Sequence, residues 1–172
     1  MTRNAYVDES QRRSGYAVAA VSIEHRSVAE VRHALREMAP DGRSRRHFVK
    51  ESDKTRRQML KVFRDLPGCS TDVVVTTARG SVVEQRARCL GALAVTIMAN
   101  GLDRLVLDHV EPTQQRRDRQ TLAPVLGRTA TYAHELEHSA EPMLWIPDAV
   151  AWCVGRRGWF RELDGWVIVQ SC

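Results

Sequence analysis

Asp8, Asp108 and Asp148 are the residues of this chain whose type and surroundings lend themselves to chemistry. Asp8 closes the apolar run Ala5-Tyr6-Val7, Asp108 follows Leu105-Val106-Leu107, and Asp148 stands directly after Pro147 at the head of a late helical run. A fold that gathers them would crowd carboxylates into one crevice, where each raises the pKa of the others. Such a cluster persists when cations neutralise it. Mg²⁺ or Mn²⁺ is the expected cofactor, because hard divalent ions take oxygen ligands and keep room for water and substrate phosphates.

Each acid also has a plainer explanation. Asp8 and Ser10 suit a hairpin turn, Asp148 suits the positive end of a helix, and Asp108 suits a strand-end turn. Asp103 and Asp118 are alternatives for the third carboxylate, and Glu9, Glu51 and Glu111 are further ligand candidates. His109 and His47 are candidates for substrate contact or proton transfer, since imidazole titrates near neutrality. Arg116, Arg117 and Arg119 follow Asp108 by a loop and could grip phosphates without reading sequence, as could Lys50 within the basic stretch from Arg43 to Arg57.

A competing constellation is His134-Glu135-Leu136-Glu137-His138, which matches H-E-x-x-H. On a helix its histidines would bind Zn²⁺ with Glu135 as general base and Glu141 or Asp148 as third ligand. Its context argues against it. Thr129-Ala130-Thr131-Tyr132 favours a strand, Glu137 places a charge where zinc-protease helices carry an uncharged residue, and Pro142 stops a helix within a turn.

The elements that must position these residues are legible in the patterning. Residues 3–8 and Gly15–Ile23 predict two strands joined by a polar loop from Glu9 to Ser14. Ser27 and Glu30 predict a capping box opening a helix with Val28, Val31, Leu35 and Met38 on one face. His47-Phe48-Val49 predicts a brief strand, and Asp53 a cap for a helix that buries Met59, Leu60, Phe63 and Leu66. Val73–Thr77 predicts a buried strand. Ser81 and Glu84 predict a capping box for a long helix closing at Asn100-Gly101.

Further on, the sequence predicts a central strand at 105–107, a helix over 114–127 that Pro124 kinks or shortens, an edge strand at 129–134, and a helix from Pro147 to Gly155. A last strand falls at 167–169. The four tryptophans, Trp145, Trp152, Trp159 and Trp166, are spaced by sevens, but Gly155, Gly158 and Gly165 break any heptad helix, so packing accounts for them better. The alternation predicts an α/β fold with a mixed central sheet flanked by helices, in one domain spanning 1–172 with a helical insertion over 24–67.

At 172 residues the chain can close a core without disulfides or a structural metal. No apolar run approaches the ~20 residues of a membrane span, and the first residues lack the apolar core of a signal peptide. No membrane role and a cytoplasmic location are expected. The four cysteines, Cys69, Cys89, Cys153 and Cys172, form no C-x-x-C pair, and reduced thiols fit them. Net charge is +5, carried almost wholly by arginine, whose fork matches phosphate geometry, so a polyanionic partner is favoured. An arginine-rich codon bias would give the same composition.

Tyr6-Val7-Asp8-Glu9-Ser10 resembles the opening of the prokaryotic domain-of-unknown-function 3800 family within the ribonuclease H-like superfamily. Ile146-Pro147-Asp148-Ala149-Val150-Ala151-Trp152 resembles that family's closing Asp helix. The resemblance implies a ribonuclease H-like fold and a metal-dependent nuclease. Asp8, Asp108 and Asp148 would hold two metals, Glu84 on the long helix would add a carboxylate, and Glu9 would support them. Nucleic acid is the implied partner, with RNA, DNA and hybrid all open. A non-catalytic binding module on the same fold is the third reading, and the inserted basic segment would serve as a substrate clamp or a homo-oligomer surface.

Overall fold

A computed structural model of the protein describes residues 2–12, 15–39, 47–77, 79–128, 130–134 and 141–172. Among these, six strands form one sheet in the order β5-β4-β1-β2-β3-β6. Its members are β1 (Arg3–Arg12), β2 (Gly15–Glu24), β3 (Cys69–Thr76), β4 (Leu102–Leu107), β5 (Thr131–His134) and β6 (Val167–Ser171). β2 runs antiparallel to β1 and β3, while β4 pairs parallel to β1, β5 to β4 and β6 to β3.

The centre of the sheet is buried on both faces, which is why β2 is apolar at nearly every position rather than alternating. Ala17, Ala19, Val21 and Ile23 face one core with Tyr6 and Val73; Tyr16, Val18 and Ala20 face the other with Ala5, Val7 and Val74. The first core is closed by α1 (Val28–Glu37), α2 (Asp53–Arg64) and α5 (Trp145–Val154). The second is closed by α3 (Val82–Ala99) and α4 (Pro112–Leu126). A short α6 (Arg157–Phe160) follows α5. Both α1 and α2 lie between β2 and β3, where the insertion was expected.

Several local expectations change. Glu9 to Arg12 is strand, not loop, because each residue keeps a partner on β2 from Glu9↔Val18 to Arg12↔Gly15. Gly15 has φ +146°, and a Cβ there would meet the Thr76 carbonyl oxygen at 1.9 Å, so the hairpin return has room for glycine alone. Ser27 has helical φ/ψ and makes no side-chain cap, so the predicted box with Glu30 does not form. A 3₁₀ turn at Phe48–Lys50 replaces the predicted strand. Ser52, not Asp53, caps α2, its hydroxyl accepting from Thr55 N. Helix α5 begins at Trp145, two residues before Pro147, after a 3₁₀ turn at Pro142–Leu144. α4 runs through Pro124 and ends two residues later at Leu126, so the missing N–H interrupts only its last turn.

The Ser81–Glu84 box on α3 is present as expected. β5 occupies one edge of the sheet and β6 the other. All four cysteines are free thiols, and burial pushes Cys69 and Cys153 up to about 12. No helix among the described residues is long and apolar enough to cross a membrane.

Candidate functional site

β4 stops at Leu107, opposite Val7, while β1 and β2 continue together to their hairpin. Asp8 is thus the first residue of β1 beyond the end of its parallel neighbour, not the end of its own strand. Asp108 N donates to Val7 O at 3.2 Å, which holds Asp108 beside it. Successive side chains alternate across a strand, so Asp8 lies with Tyr6 on the face that α5 covers. Asp148 sits in the first turn of α5. The three acids therefore converge on the crevice outside the carboxyl end of β4, the usual ligand-binding place in open α/β sheets.

Asp8 is only 8% exposed. Burial drives its carboxyl pKa well above the usual carboxylate range, and the charges of Asp148, Glu9 and Asp108 push it further, in that order. The Glu9 N–H, donating to Asp8 Oδ1 at 2.7 Å, opposes the rise. Asp108 accepts likewise from the next residue, His109 N, at 2.8 Å. Asp148 Oδ2 accepts from Phe48 N at 3.0 Å, a partner a hundred residues earlier. Among the described residues no group of three or more His, Cys, Asp or Glu side chains lies close enough to hold a metal ion. The acids repel one another across the crevice without closing into a ligand shell.

The remaining candidates separate. The Glu9 side chain lies on the opposite face of the sheet from Asp8 and forms an ion pair with Arg86 of α3. Arg86 also forks onto Asp118, with Nε to Oδ1 at 3.0 Å and Nη2 to Oδ2 at 2.8 Å, and reaches the Tyr16 hydroxyl at 3.4 Å. Burial alone would make Arg86 less basic, but the Asp118 hydrogen bonds and the Glu9 charge override it and hold the guanidinium charged. Glu9 and Asp118 are thus both held by the buried Arg86 guanidinium. Glu84 is exposed, and its carboxylate closes the capping box on Ser81 N at 2.7 Å. Asp103 is exposed at the start of β4, at the far end of the strand from Asp108. Glu111 caps α4, accepting from Thr113 N and Gln114 N. Glu51 is half-buried just before the α2 cap.

His109 is exposed beside Asp108, with Nδ1 at 3.4 Å from Gln115 Nε2. Arg116, Arg117 and Arg119 are exposed on α4. His47 is half-buried and Lys50 exposed around the 3₁₀ turn that binds Asp148. Glu135–His138 of the zinc motif, and Arg43, Arg45 and Arg46 of the basic stretch, lie outside the described residues. The zinc reading's third ligands are engaged elsewhere: Glu141 pairs with Arg32 at 2.8 Å, and Asp148 belongs to the acid crevice.

Sequence reasoning missed what holds Asp148 in place. Phe48 packs edge-on against Trp152 and Trp159, with ring centroids at 5.2 and 6.2 Å, and Arg56 stacks over Trp152 at 4.5 Å. Arg56 Nε and Nη2 also donate to the Phe48 and Val49 carbonyls. The available signal was Trp152, four residues and so one helical turn after Asp148 on α5; its ring centroid lies 5.4 Å from that of Trp159.

No family model and no curated protein matches the chain in sequence. Solved structures do match in shape. The RNase HII from Archaeoglobus fulgidus, solved in complex with PCNA, aligns over 94% of this chain and 76% of its own, with a TM-score of 0.63 at 17% identity. Ribonuclease H2 from Pyrococcus horikoshii OT3 aligns over 94% and 75%, with a TM-score of 0.62 at 18% identity. The fold is ribonuclease H-like, a mixed six-stranded sheet flanked by helices.

Proposed function

We propose that this ribonuclease H-like chain is a divalent-metal-dependent nuclease that hydrolyses phosphodiester bonds of nucleic acid. The observation that carries the reading is Asp8: a buried carboxylate just past the end of β4, repelled by Asp148 and Asp108 across the same crevice. Buried like charges are unfavourable unless a cation offsets them, and an all-carboxylate donor set suits Mg²⁺ or Mn²⁺ rather than a softer ion. Asp8, Asp108 and Asp148 would hold the ions, which when bound supply an activated water and charge stabilisation at the leaving oxygen.

The chain's own residues have definite tasks in this reading. The N–H groups of Glu9, His109 and Phe48 orient the three carboxylates. His109, exposed beside Asp108 with Nδ1 at 3.4 Å from Gln115 Nε2, is placed to make a hydrogen bond to a departing oxygen. Glu9 and Glu84, bound to Arg86 and Ser81, support the site through the fold rather than as ligands.

The two archaeal enzymes of like shape are an RNase HII and a ribonuclease H2, which favours nucleic acid as the substrate class. The Tyr6–Ser10 opening supports placement in the domain-of-unknown-function 3800 family. We read residues 1–172 as one domain with 24–67 inserted, acting in the cytoplasm. A binding module without catalysis is the second reading, since the same fold can persist after its ligands are lost.

The test is cleavage of labelled single-stranded RNA, single-stranded DNA and an RNA–DNA hybrid with Mg²⁺, Mn²⁺ or EDTA. Metal-dependent cutting that Asp8→Asn and Asp148→Asn abolish is the expected result. Cutting that survives either substitution, or no cutting with either metal, overturns the proposal.

A further inference from the structure

Helix α5 links the acid crevice to a second feature on the same face of the sheet. Asp148 stands in its first turn, and Val154, about 9 Å further along the axis, forms one wall of a groove of about 600 Å³. Val75 of β3 and Val169 of β6 line the groove as well, and Arg157, Phe160 and Arg161 complete it. Asp8 pairs with Ala19, Ala19 with Val73 and Val73 with Val169, so the groove lies on the same cross-sheet row as Asp8. Three strand spacings, about 14 Å, separate them.

Phe160 is 42% exposed although it is among the largest apolar side chains. Arg157 and Arg161, on either side of it in sequence, are exposed too. The surface leading back to Asp148 is also basic. Arg156 stacks over Trp152 at 3.9 Å and Arg57 over Trp159 at 5.2 Å, joining α2 to α6. Residues 47–57 and 156–162, which meet there, hold seven lysines and arginines against three acids. That excess is most of the chain's net +5.

An exposed aromatic ring between guanidinium groups in an open groove combines the two devices that hold single strands, a base-stacking platform and a cationic track for the backbone. The geometry points to a single-stranded nucleic-acid subsite in the groove at Arg157, Phe160 and Arg161, which binds a strand on the α6 side of the acid crevice. Unpaired bases are required because a ring can stack only on a base face left open. This assignment builds on the nuclease reading but is independent of metal and of cleavage.

The experiment is fluorescence-anisotropy titration of labelled single-stranded and duplex DNA in EDTA, at several salt concentrations, with the full chain and two variants. Phe160→Ala is expected to weaken single-strand binding about fivefold or more, the loss of one stacked base, with the salt slope unchanged. Arg157→Gln/Arg161→Gln is expected to reduce the slope of log K against log salt by about 1.4, two single-strand phosphate contacts. Unfolding midpoints equal to wild type exclude a folding defect, as these side chains are exposed. Absence of single-strand binding by wild type, binding that both variants leave unchanged, or equal losses on duplex overturns the subsite. Metal-dependent cutting beside unchanged variant binding would sink this subsite and leave the nuclease standing; groove-dependent binding without cutting would do the reverse.

Discussion

Replacing Asp8 by asparagine should make the protein more stable at neutral pH while abolishing any metal-dependent activity. The Asp8 carboxyl is buried and feels the charges of Asp148, Glu9 and Asp108, so its pKa in the fold lies well above the unfolded value of about 3.9. An acid whose folded pKa is raised leaves stability intact below the unfolded pKa, and that stability is lost as pH rises through the folded pKa. Wild type and Asp8→Asn should therefore unfold together near pH 4, with the variant gaining as pH climbs. Each pKa unit of displacement corresponds to about 1.4 kcal/mol, which for a domain of this size appears as about 3–6 °C in Tm.

Metal should invert the order. At a hundredfold excess over Kd, Mg²⁺ or Mn²⁺ stabilises the binding-competent protein by about 2.7 kcal/mol, or about 5–11 °C, and should leave Asp8→Asn unmoved. Differential scanning calorimetry between pH 4 and 8, with EDTA or with metal, reads both effects. A variant less stable than wild type at pH 7.5 in EDTA, or a difference independent of pH, would refute the electrostatic account of the crevice.

Arg86→Met leaves Glu9 and Asp118 without their buried counter-charge, which should cost about 3–5 kcal/mol and be measurable as a lower urea midpoint. If the double variant Arg86→Met/Asp118→Leu is no more stable than the single one, the network is not the cause. Gly15→Ala forces a Cβ into the Thr76 carbonyl at a positive φ, so a loss of about 3 kcal/mol or more is expected in the same assay. Glu84→Gln, which touches the α3 cap and not the crevice, should keep cleavage within about twofold of wild type, whereas Asp148→Asn should remove it. Equal losses from both substitutions would restore Glu84 as a metal ligand.

The secondary structure was most legible where local chemistry and burial agree. The Ser81–Glu84 box and the apolar stripe of α3 satisfy each other within one helix, so nothing elsewhere needs to intervene. The continuous apolar run of β2 announces a strand covered on both faces. Local signals failed where a distant partner outweighed them. Glu9 to Arg12 reads as a polar turn, yet pairing with β2 extends the strand through it. Ser27 reads as a cap, but the preceding turn already places it in helical geometry and buries it. His47-Phe48-Val49 reads as a strand, and the Trp152–Trp159 pair folds it into a 3₁₀ turn.

The sequence by itself determined the acids that could matter and the alternation that makes a sheet with helices on both faces, because both depend on residue type and short-range period. It also set the excess of arginine. Only the tertiary structure decided which acids share a crevice. Side-chain alternation along β1 sends Asp8 to one face and its neighbour Glu9 to the other, where Arg86 binds it. The end of β4 at Leu107 brings Asp108 level with Asp8, and packing of Phe48 on the tryptophans lets a backbone N–H reach Asp148 across a hundred residues. Charge repulsion and burial act over distances in space, and those distances are set by register and packing between residues far apart in the chain.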